Sequence, residues 1–125
     1  MPVKNKLVYS GHLYGFSWSA SNYDDFKARL YKTQTYVTTL GVPYLLGEFG
    51  NNQKDNYWNW LIAYLKQTSL DWTYWVIDGF QGDPSHDETY GMFNKDFTTV
   101  RHPDLLADLI SVGPPATALK NYYKY

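Results

Sequence analysis

Short apolar runs alternate with amphipathic stretches along this chain. Three runs, at residues 7–12, 44–49 and 72–77, are rich in aliphatic and aromatic side chains and do not alternate strictly with polar ones. Runs of this kind are typical of strands that are buried on both faces, as in parallel sheets. We therefore predict three short parallel strands at these places.

A helix is predicted after each strand, because apolar residues recur there at steps of three and four. The first helix is expected to begin after Ser21 or Asn22, whose side chains are favourable caps, and to stop at Gly41. Asp55 is the expected cap of the second helix, and Pro103 stands in the first turn of the third. The order β-α-β-α-β-α predicts an α/β domain built from parallel βα units.

One connection is much longer than the others. Between Asp78 and Arg101 the chain is polar and rich in glycine, with the sequence "DGFQGDPSHDETYGMFNKDFTTVR". Loops of this length are usually either functional or disordered. This connection is therefore a candidate part of a functional site.

Composition excludes several classes of function. The 125 residues suit one domain, and the formal net charge of −1, without a basic stripe, gives no support for a nucleic-acid or membrane partner. No run approaches the roughly 18 apolar residues that a membrane span requires. Cysteine is absent, so neither a disulfide framework nor thiolate chemistry is expected.

Aromatic residues are unusually frequent, with 13 Tyr, 6 Phe and 5 Trp making up 19% of the chain. Aromatic faces stack on other aromatic rings, on nucleobases and on sugar rings. Without basic residues to hold phosphates, nucleobases are the least favoured of these partners. For any single ring, packing in the core and binding of a sugar are equally expected roles.

Chemically capable side chains stand at or just beyond the carboxyl end of each predicted strand. The first strand ends at His12, with Tyr14 two residues later, and the second ends near Glu48. The third carries Trp75 and is followed by Asp78. In α/β barrels, catalytic residues come from this end of the strands. The sequence therefore predicts that these side chains share one rim.

These segments resemble glycoside hydrolase family 5, the cellulase family. The resemblance rests on "LVYSGHLYG", "PYLLGEFG" and "DWTYW", followed by the closing stretch "DETYGMFNKDFTTVRHPDLLADL". It implies a partial (β/α)8 TIM barrel, in which residues 1–125 form the C-terminal portion with about three βα units, equivalent to strands six to eight.

The resemblance also implies roles for single residues. Glu48 matches the catalytic nucleophile within Gly-Glu-Phe-Gly, and His12 and Tyr14 match the His-x-Tyr pair that supports it. Trp75 matches the platform under the sugar next to the scissile bond. Asp78 and Glu88 are further candidates for contact with the carbohydrate substrate. The implied reaction is retaining hydrolysis of a β-glucan or cellulose-like polysaccharide, with no cofactor and no metal.

One half of this chemistry has no counterpart in the sequence. A retaining glycosidase needs a second carboxyl group, about 5 Å from the nucleophile, which acts as acid and then as base. The family carries it in an Asn-Glu pair, and no such pair occurs here. Glu88 is the only other glutamate. We consider it unfavoured as a substitute for the missing carboxyl group, and the same holds for Asp78, Asp83 and Asp87. A metal site at residues 86–88 is also disfavoured, because ligands normally project from ordered elements with fixed spacing.

Three parallel strands leave two unpaired edges, which a closed barrel would remove. We expect the chain to be a fragment of a longer enzyme, to associate with itself, or to complement a polypeptide that supplies the N-terminal part of the barrel. By family resemblance, the protein is expected to be secreted. The alternative function is a non-catalytic carbohydrate-binding or structural fragment of a barrel.

Overall fold

The structure is a computed structural model that describes residues 7–17, 19–68, 70–80 and 82–113. Two strands and three helices follow one another along the chain. They are β1 (Tyr9–Tyr14), α1 (Tyr23–Thr39), β2 (Tyr44–Gly50), α2 (Asn56–Thr68) and α3 (Pro103–Val112), with a 3₁₀ turn at Gly15–Ser17 after β1. β1 and β2 pair in parallel, which confirms the predicted α/β class.

The third predicted strand has the expected place but not the expected regularity. The third segment, residues 71–79, runs beside β2 with a single parallel bridge between Leu46 and Trp72. Leu46 N–H donates to the Asp71 carbonyl at 3.0 Å, and Trp75 N–H donates to the Phe49 carbonyl at 2.7 Å. The prediction of a regular strand at 72–77 is therefore wrong, because an irregularity in β2 interrupts the ladder between these two bonds.

The far edge of the third segment is partly covered by the long connection. Met92 N–H donates to the Val76 carbonyl at 2.9 Å, and Phe93 N–H donates to the Ile77 carbonyl at 2.8 Å. Gly79 N–H returns a bond to the Phe93 carbonyl at 3.0 Å. The expectation that this outer edge has no hydrogen-bond partners is thus corrected for residues 76–79. Residues 82–101 form an ordered series of turns rather than a disordered loop.

The helix ends follow the predicted local chemistry. The Asn22 side chain accepts a hydrogen bond from Asp25 N–H at 3.0 Å and caps α1. The Asp55 side chain accepts from Trp58 N–H at 2.9 Å at the start of α2. α1 is followed by Gly41 with φ +71°, a left-handed conformation that favours glycine. These contacts confirm both predicted caps and the predicted stop.

The core lies on one face of the sheet, where all three helices pack. Its largest fully buried side chains are Trp58, Tyr64, Phe26, Phe49, Leu13, Leu30, Leu46, Leu61 and Leu105. Only Leu13 of β1 is buried, whereas Tyr9 at the start of the same strand is 42% exposed. The expectation of burial on both faces is therefore wrong for β1. Of the described helices, none is long and apolar enough to cross a membrane.

Buried tyrosines make stability sensitive to alkaline pH. Burial raises the pKa of Tyr64 to about 12, and its hydroxyl donates to Gln34 Oε1 at 2.6 Å. In the unfolded chain this phenol ionises near 10. The folded form therefore binds the proton more tightly, and its contribution to stability, complete below pH 10, falls as the pH rises from 10 toward 12.

We expect the free energy of unfolding to fall by about 1.4 kcal/mol per pH unit in this range for Tyr64 alone. Urea unfolding at pH 9, 10 and 11 measures the slope. Tyr64→Phe should flatten it by this amount, whereas Tyr36→Phe, which alters an exposed ring on α1, should leave it unchanged. Equal slopes in the wild type and Tyr64→Phe would contradict the prediction.

Candidate functional site

A bulge in β2 determines where Glu48 points. The pairing of the two strands shifts just before His12, which lies opposite Glu48, so that Gly47 is left without a partner. In a regular strand, Leu46 and Glu48 would share a face. The extra residue instead lets Leu46 and Phe49 both enter the core, where each is 0% exposed. Glu48 is thereby directed away from the core and toward His12.

Two glycines permit this arrangement. A side chain at Gly47 would overlap the Ser10 hydroxyl of β1, and one at Gly50 would overlap the Trp75 carbonyl of the third segment. Glycine at both positions therefore allows close approach of the neighbouring backbone and side chains. The segment on either side of Glu48 is thus adapted to dense packing at the strand ends.

His12 and Glu48 form the closest polar pair at the rim. His12 Nδ1 lies 2.5 Å from Glu48 Oε2, and the two side chains are 59% and 21% exposed. Hydrogen bonds that a carboxylate accepts are stronger than those between neutral groups. The imidazole therefore fixes one carboxylate oxygen on the neighbouring strand.

Tyr14 supplies a second contact to the same carboxylate. Burial raises the pKa of the Tyr14 hydroxyl, as do the charge of Glu48 and a hydrogen bond to it. All three effects favour the neutral phenol, which keeps its proton as a donor. Glu48 is thus held between an imidazole and a phenol, both from the end of β1.

Trp75 is exposed on the third segment, whereas Trp72 and Tyr74 on the same segment pack against the core. Its side chain is 38% exposed. The rings of Trp72 and Tyr74 lie 5.7 and 5.6 Å from the ring of Phe49. The third segment therefore keeps the alternation of a strand despite its broken ladder. The structure places Trp75 beside β2, the strand that carries Glu48.

The two loop candidates lie in different surroundings. Asp78 accepts a hydrogen bond from Phe80 N–H at 2.7 Å, which closes a local turn. Glu88 accepts from Tyr90 N–H at 3.0 Å, and its charge contributes to the raised pKa of Tyr14. Glu88 therefore belongs to the electrostatic environment of the site, whereas the Asp78 carboxylate bonds within its own turn. A role for either residue in substrate binding stays a prediction.

Arg101 is an organising residue that the sequence analysis missed. Its side chain donates to Asn94 Oδ1 at 2.8 Å, to the Glu88 carbonyl at 3.0 Å and to Asp87 Oδ1 at 2.7 Å. The hydrogen bond from Arg101 holds the pKa of Asp87 below its usual range. A single arginine that follows an acidic, glycine-rich loop is the signal that could have suggested this clamp.

Two further aromatic rings were also missed. Tyr90 stacks on Tyr14 at a centroid distance of 6.0 Å and an interplanar angle of 19°. Phe16 stacks on Tyr14 at 5.3 Å and 18°. Neither follows from helical or strand periodicity, because both residues lie outside the regular elements. Through Tyr90, the long connection thus packs against Tyr14, the residue that donates to Glu48.

Asp83 and His102 make structural contacts with the long connection. Asp83 accepts hydrogen bonds from the backbone and hydroxyl of Ser85, each at 2.8 Å. His102 precedes α3 and lies 2.9 Å from the Thr89 carbonyl. Within the described part of the chain, no group of three or more His, Cys, Asp and Glu side chains is placed to hold a metal ion.

Comparisons with known proteins point to the cellulase family. The family model for cellulase (glycosyl hydrolase family 5) matches residues 1–81. A glycosyl hydrolase 5 family protein from Chamaecyparis obtusa is 30% identical over 138 residues, which cover 92% of this chain and 25% of the relative.

Solved structures show the same fold. A hyperthermostable endocellulase is 26% identical, with a TM-score of 0.64 over 89% of this chain and 32% of that one. An endocellulase from Pyrococcus horikoshii, solved as a complex with cellotetraose, is 24% identical, with a TM-score of 0.62 over 90% of this chain and 32% of that one. The chain thus spans about a quarter to a third of the length of these proteins. It belongs to glycosyl hydrolase family 5, the cellulase family.

Proposed function

We propose that this chain provides the nucleophile and part of the sugar-binding rim of a retaining glycosidase that hydrolyses a β-linked glucan. The observation that carries the proposal is the position of Glu48 at the end of β2, in contact with His12 and Tyr14, while Trp75 lies on the segment beside β2. Family membership supports glycoside hydrolysis, and the names of the endocellulases it resembles support a cellulose-like substrate.

The proposed reaction begins with attack by Glu48. One carboxylate oxygen forms a bond to the anomeric carbon, and the bond from that carbon to the glycosidic oxygen breaks. A second carboxyl group protonates the departing oxygen and then removes a proton from the water that hydrolyses the ester. His12 and Tyr14 orient the Glu48 carboxylate, and Trp75 stacks on the sugar ring. No cofactor or metal is part of this mechanism.

The acid/base group is proposed to come from outside these 125 residues. The matched family members are three to four times longer, since the chain covers 25% of one and 32% of another. We assign the three βα units of this chain to strands six to eight of the barrel. The N-terminal part of such a barrel, whether on a complementing chain or on an associated copy, would supply the second carboxyl. The same family argument supports a secreted location.

A covalent trapping experiment tests the nucleophile separately from the missing acid. In 2,4-dinitrophenyl 2-deoxy-2-fluoro-β-cellobioside, the dinitrophenolate leaves without protonation, so the first step needs no acid. The fluorine destabilises the oxocarbenium-like transition state and slows hydrolysis of the ester. We expect the protein mass to increase by one fluorocellobiosyl group, with peptide mapping placing it on Glu48.

Two variants make this result specific. Glu48→Gln should abolish the label, whereas Asp71→Asn, an exposed carboxylate at the opposite end of the third segment, should leave it intact. Cellobiosides with poorly activated leaving groups should not be hydrolysed by the chain alone. Absence of the label on the wild-type chain, together with retained sugar binding, would replace the proposal with a non-catalytic carbohydrate-binding function.

A further inference from the structure

Phe16 is an aromatic ring displayed at the rim with little packing to explain its position. It lies in the 3₁₀ turn Gly15–Ser17, directly after β1, and is 80% exposed. Its ring is nearly parallel to that of Tyr14, with centroids 5.3 Å apart and an angle of 18°. One face of Phe16 therefore rests on Tyr14, and the high exposure leaves the other face open to solvent.

The chemistry of the inner rings differs from that of Phe16. Tyr14 is stacked by Tyr90 as well as by Phe16, and its hydroxyl is committed to Glu48. Tyr14 is thus a fixed donor rather than an open platform. Phe16 has no polar atom in its side chain and presents only an apolar face. Isolated exposed apolar side chains are common on proteins, but this ring extends the stack of Tyr90 on Tyr14, the residue that bonds the candidate nucleophile.

The strand order gives Phe16 a defined place relative to the site. β1, β2 and the third segment run parallel, in that order, so their carboxyl ends lie side by side. Neighbouring strands are about 4.8 Å apart. Phe16 follows β1 and Trp75 belongs to the third segment, so the two residues lie on opposite sides of β2, the strand that carries Glu48. A chain of sugar rings that crosses the strand ends would meet both.

We propose that Phe16 is the platform for an additional pyranose ring of a β-linked glucan, on the side of Glu48 opposite to Trp75. β-Linked glucopyranose suits such a platform, because its equatorial hydroxyls leave the two ring faces apolar and able to stack on an aromatic face. The inference rests on the proposed function and adds to it a preference for longer oligosaccharides. It makes Phe16 a residue that determines chain-length specificity.

Binding of oligosaccharides of two lengths tests this proposal. The full chain is titrated with cellotriose and cellohexaose by isothermal calorimetry. Phe16→Ala should weaken binding of cellohexaose about tenfold, the effect of losing one aromatic stack, and change binding of cellotriose little. Phe16→Tyr should retain wild-type affinity for both, and Phe16→Leu should behave like Phe16→Ala, because stacking requires a flat ring.

Controls separate this inference from the proposed function. Tyr36→Ala removes a ring of comparable exposure, 68%, on α1 and should alter neither titration. Unchanged binding of cellohexaose by Phe16→Ala would overturn the inference and leave the proposed function standing. An equal loss for both sugars would also overturn it, because Phe16 would then act through Tyr14 and Glu48. A wild-type chain that binds neither sugar would overturn the inference and the proposed substrate together.

Discussion

Replacing Tyr14 with Phe is expected to slow the covalent labelling of Glu48 by the fluorinated cellobioside by about 10²-fold. The substitution removes one hydroxyl and leaves the ring, so the stacking with Phe16 and Tyr90 should be preserved. Any change in rate then reports on the hydrogen bond between Tyr14 and Glu48.

Two effects of this hydrogen bond oppose each other. Donation to the carboxylate stabilises its negative charge and so weakens it as a nucleophile, and a hydrogen bond to a charged group contributes about 1.5–3 kcal/mol. The same bond holds the attacking oxygen in place, and a displacement of about 1 Å can cost about 10²-fold in rate. We expect orientation to dominate, because His12 alone would restrain only one oxygen of Glu48.

The rate is measured as the release of dinitrophenolate in a single turnover, at saturating inactivator. Tyr9→Phe is the matched control, since Tyr9 lies at the other end of β1 and is 42% exposed. It should label at the wild-type rate. An unchanged or faster rate in Tyr14→Phe would show that the hydroxyl only restrains the nucleophilicity of Glu48. Thermal unfolding at an unaltered temperature would confirm that the variant is folded.

Features of the fold that depend on local chemistry were predictable from the sequence. Asn22 and Asp55 cap their helices because their side chains bond backbone groups three residues away, and such contacts can be predicted from a short stretch of sequence. The position of Trp75 at the rim follows from strand alternation, which survives in the third segment. Predicting these features required no knowledge of the long connection.

Features that depend on tertiary contact were not predictable. The bulge at Gly47 exists because Leu46 and Phe49 both enter the core, and only the packed helices reveal this demand. Tyr90 reaches Tyr14 because the side-chain hydrogen bonds of Arg101 hold the part of the long connection that carries Tyr90. Neither relation leaves a periodic signal in the sequence. A regular third strand was expected because its run of apolar and aromatic residues is visible in the sequence, whereas the break in the hydrogen-bond ladder with β2 is not.

The bulge also explains how an otherwise apolar strand can carry a carboxylate. A regular β2 would place Glu48 on the face of Leu46, against the helices, where an unpaired charge is costly. The extra residue at Gly47 turns Glu48 toward His12 and lets Phe49 take its place in the core. Packing of the core and presentation of the carboxylate are therefore two results of one irregularity. A change that loosens the core near Phe49 should consequently disturb the site.

Trp58→Ala provides the strongest test of this coupling. Trp58 is 0% exposed, and its ring lies 6.3 Å from that of Phe49 and 6.2 Å from that of Tyr74. Its indole N–H donates to Asp108 Oδ2 on α3 at 2.9 Å. The side chain therefore joins α2 to β2, to the third segment and to α3.

We expect Trp58→Ala to lower the free energy of unfolding by about 3–5 kcal/mol, because it removes a large buried ring and leaves a cavity. Trp58→Phe keeps much of the ring volume but leaves Asp108 without the indole donor, and should cost less. Urea unfolding followed by circular dichroism measures both values. A loss below about 1 kcal/mol in Trp58→Ala would show that the surrounding core collapses into the space.

The same two variants separate stability from function. Under conditions in which both remain folded, labelling of Glu48 should slow more in Trp58→Ala than in Trp58→Phe, because only the former withdraws the aromatic support of Phe49 beside the bulge. Wild-type labelling in a folded but destabilised Trp58→Ala would show that strand pairing alone maintains the bulge. Labelling that falls in step with cavity formation would show that the core behind β2 positions the carboxylate on its rim.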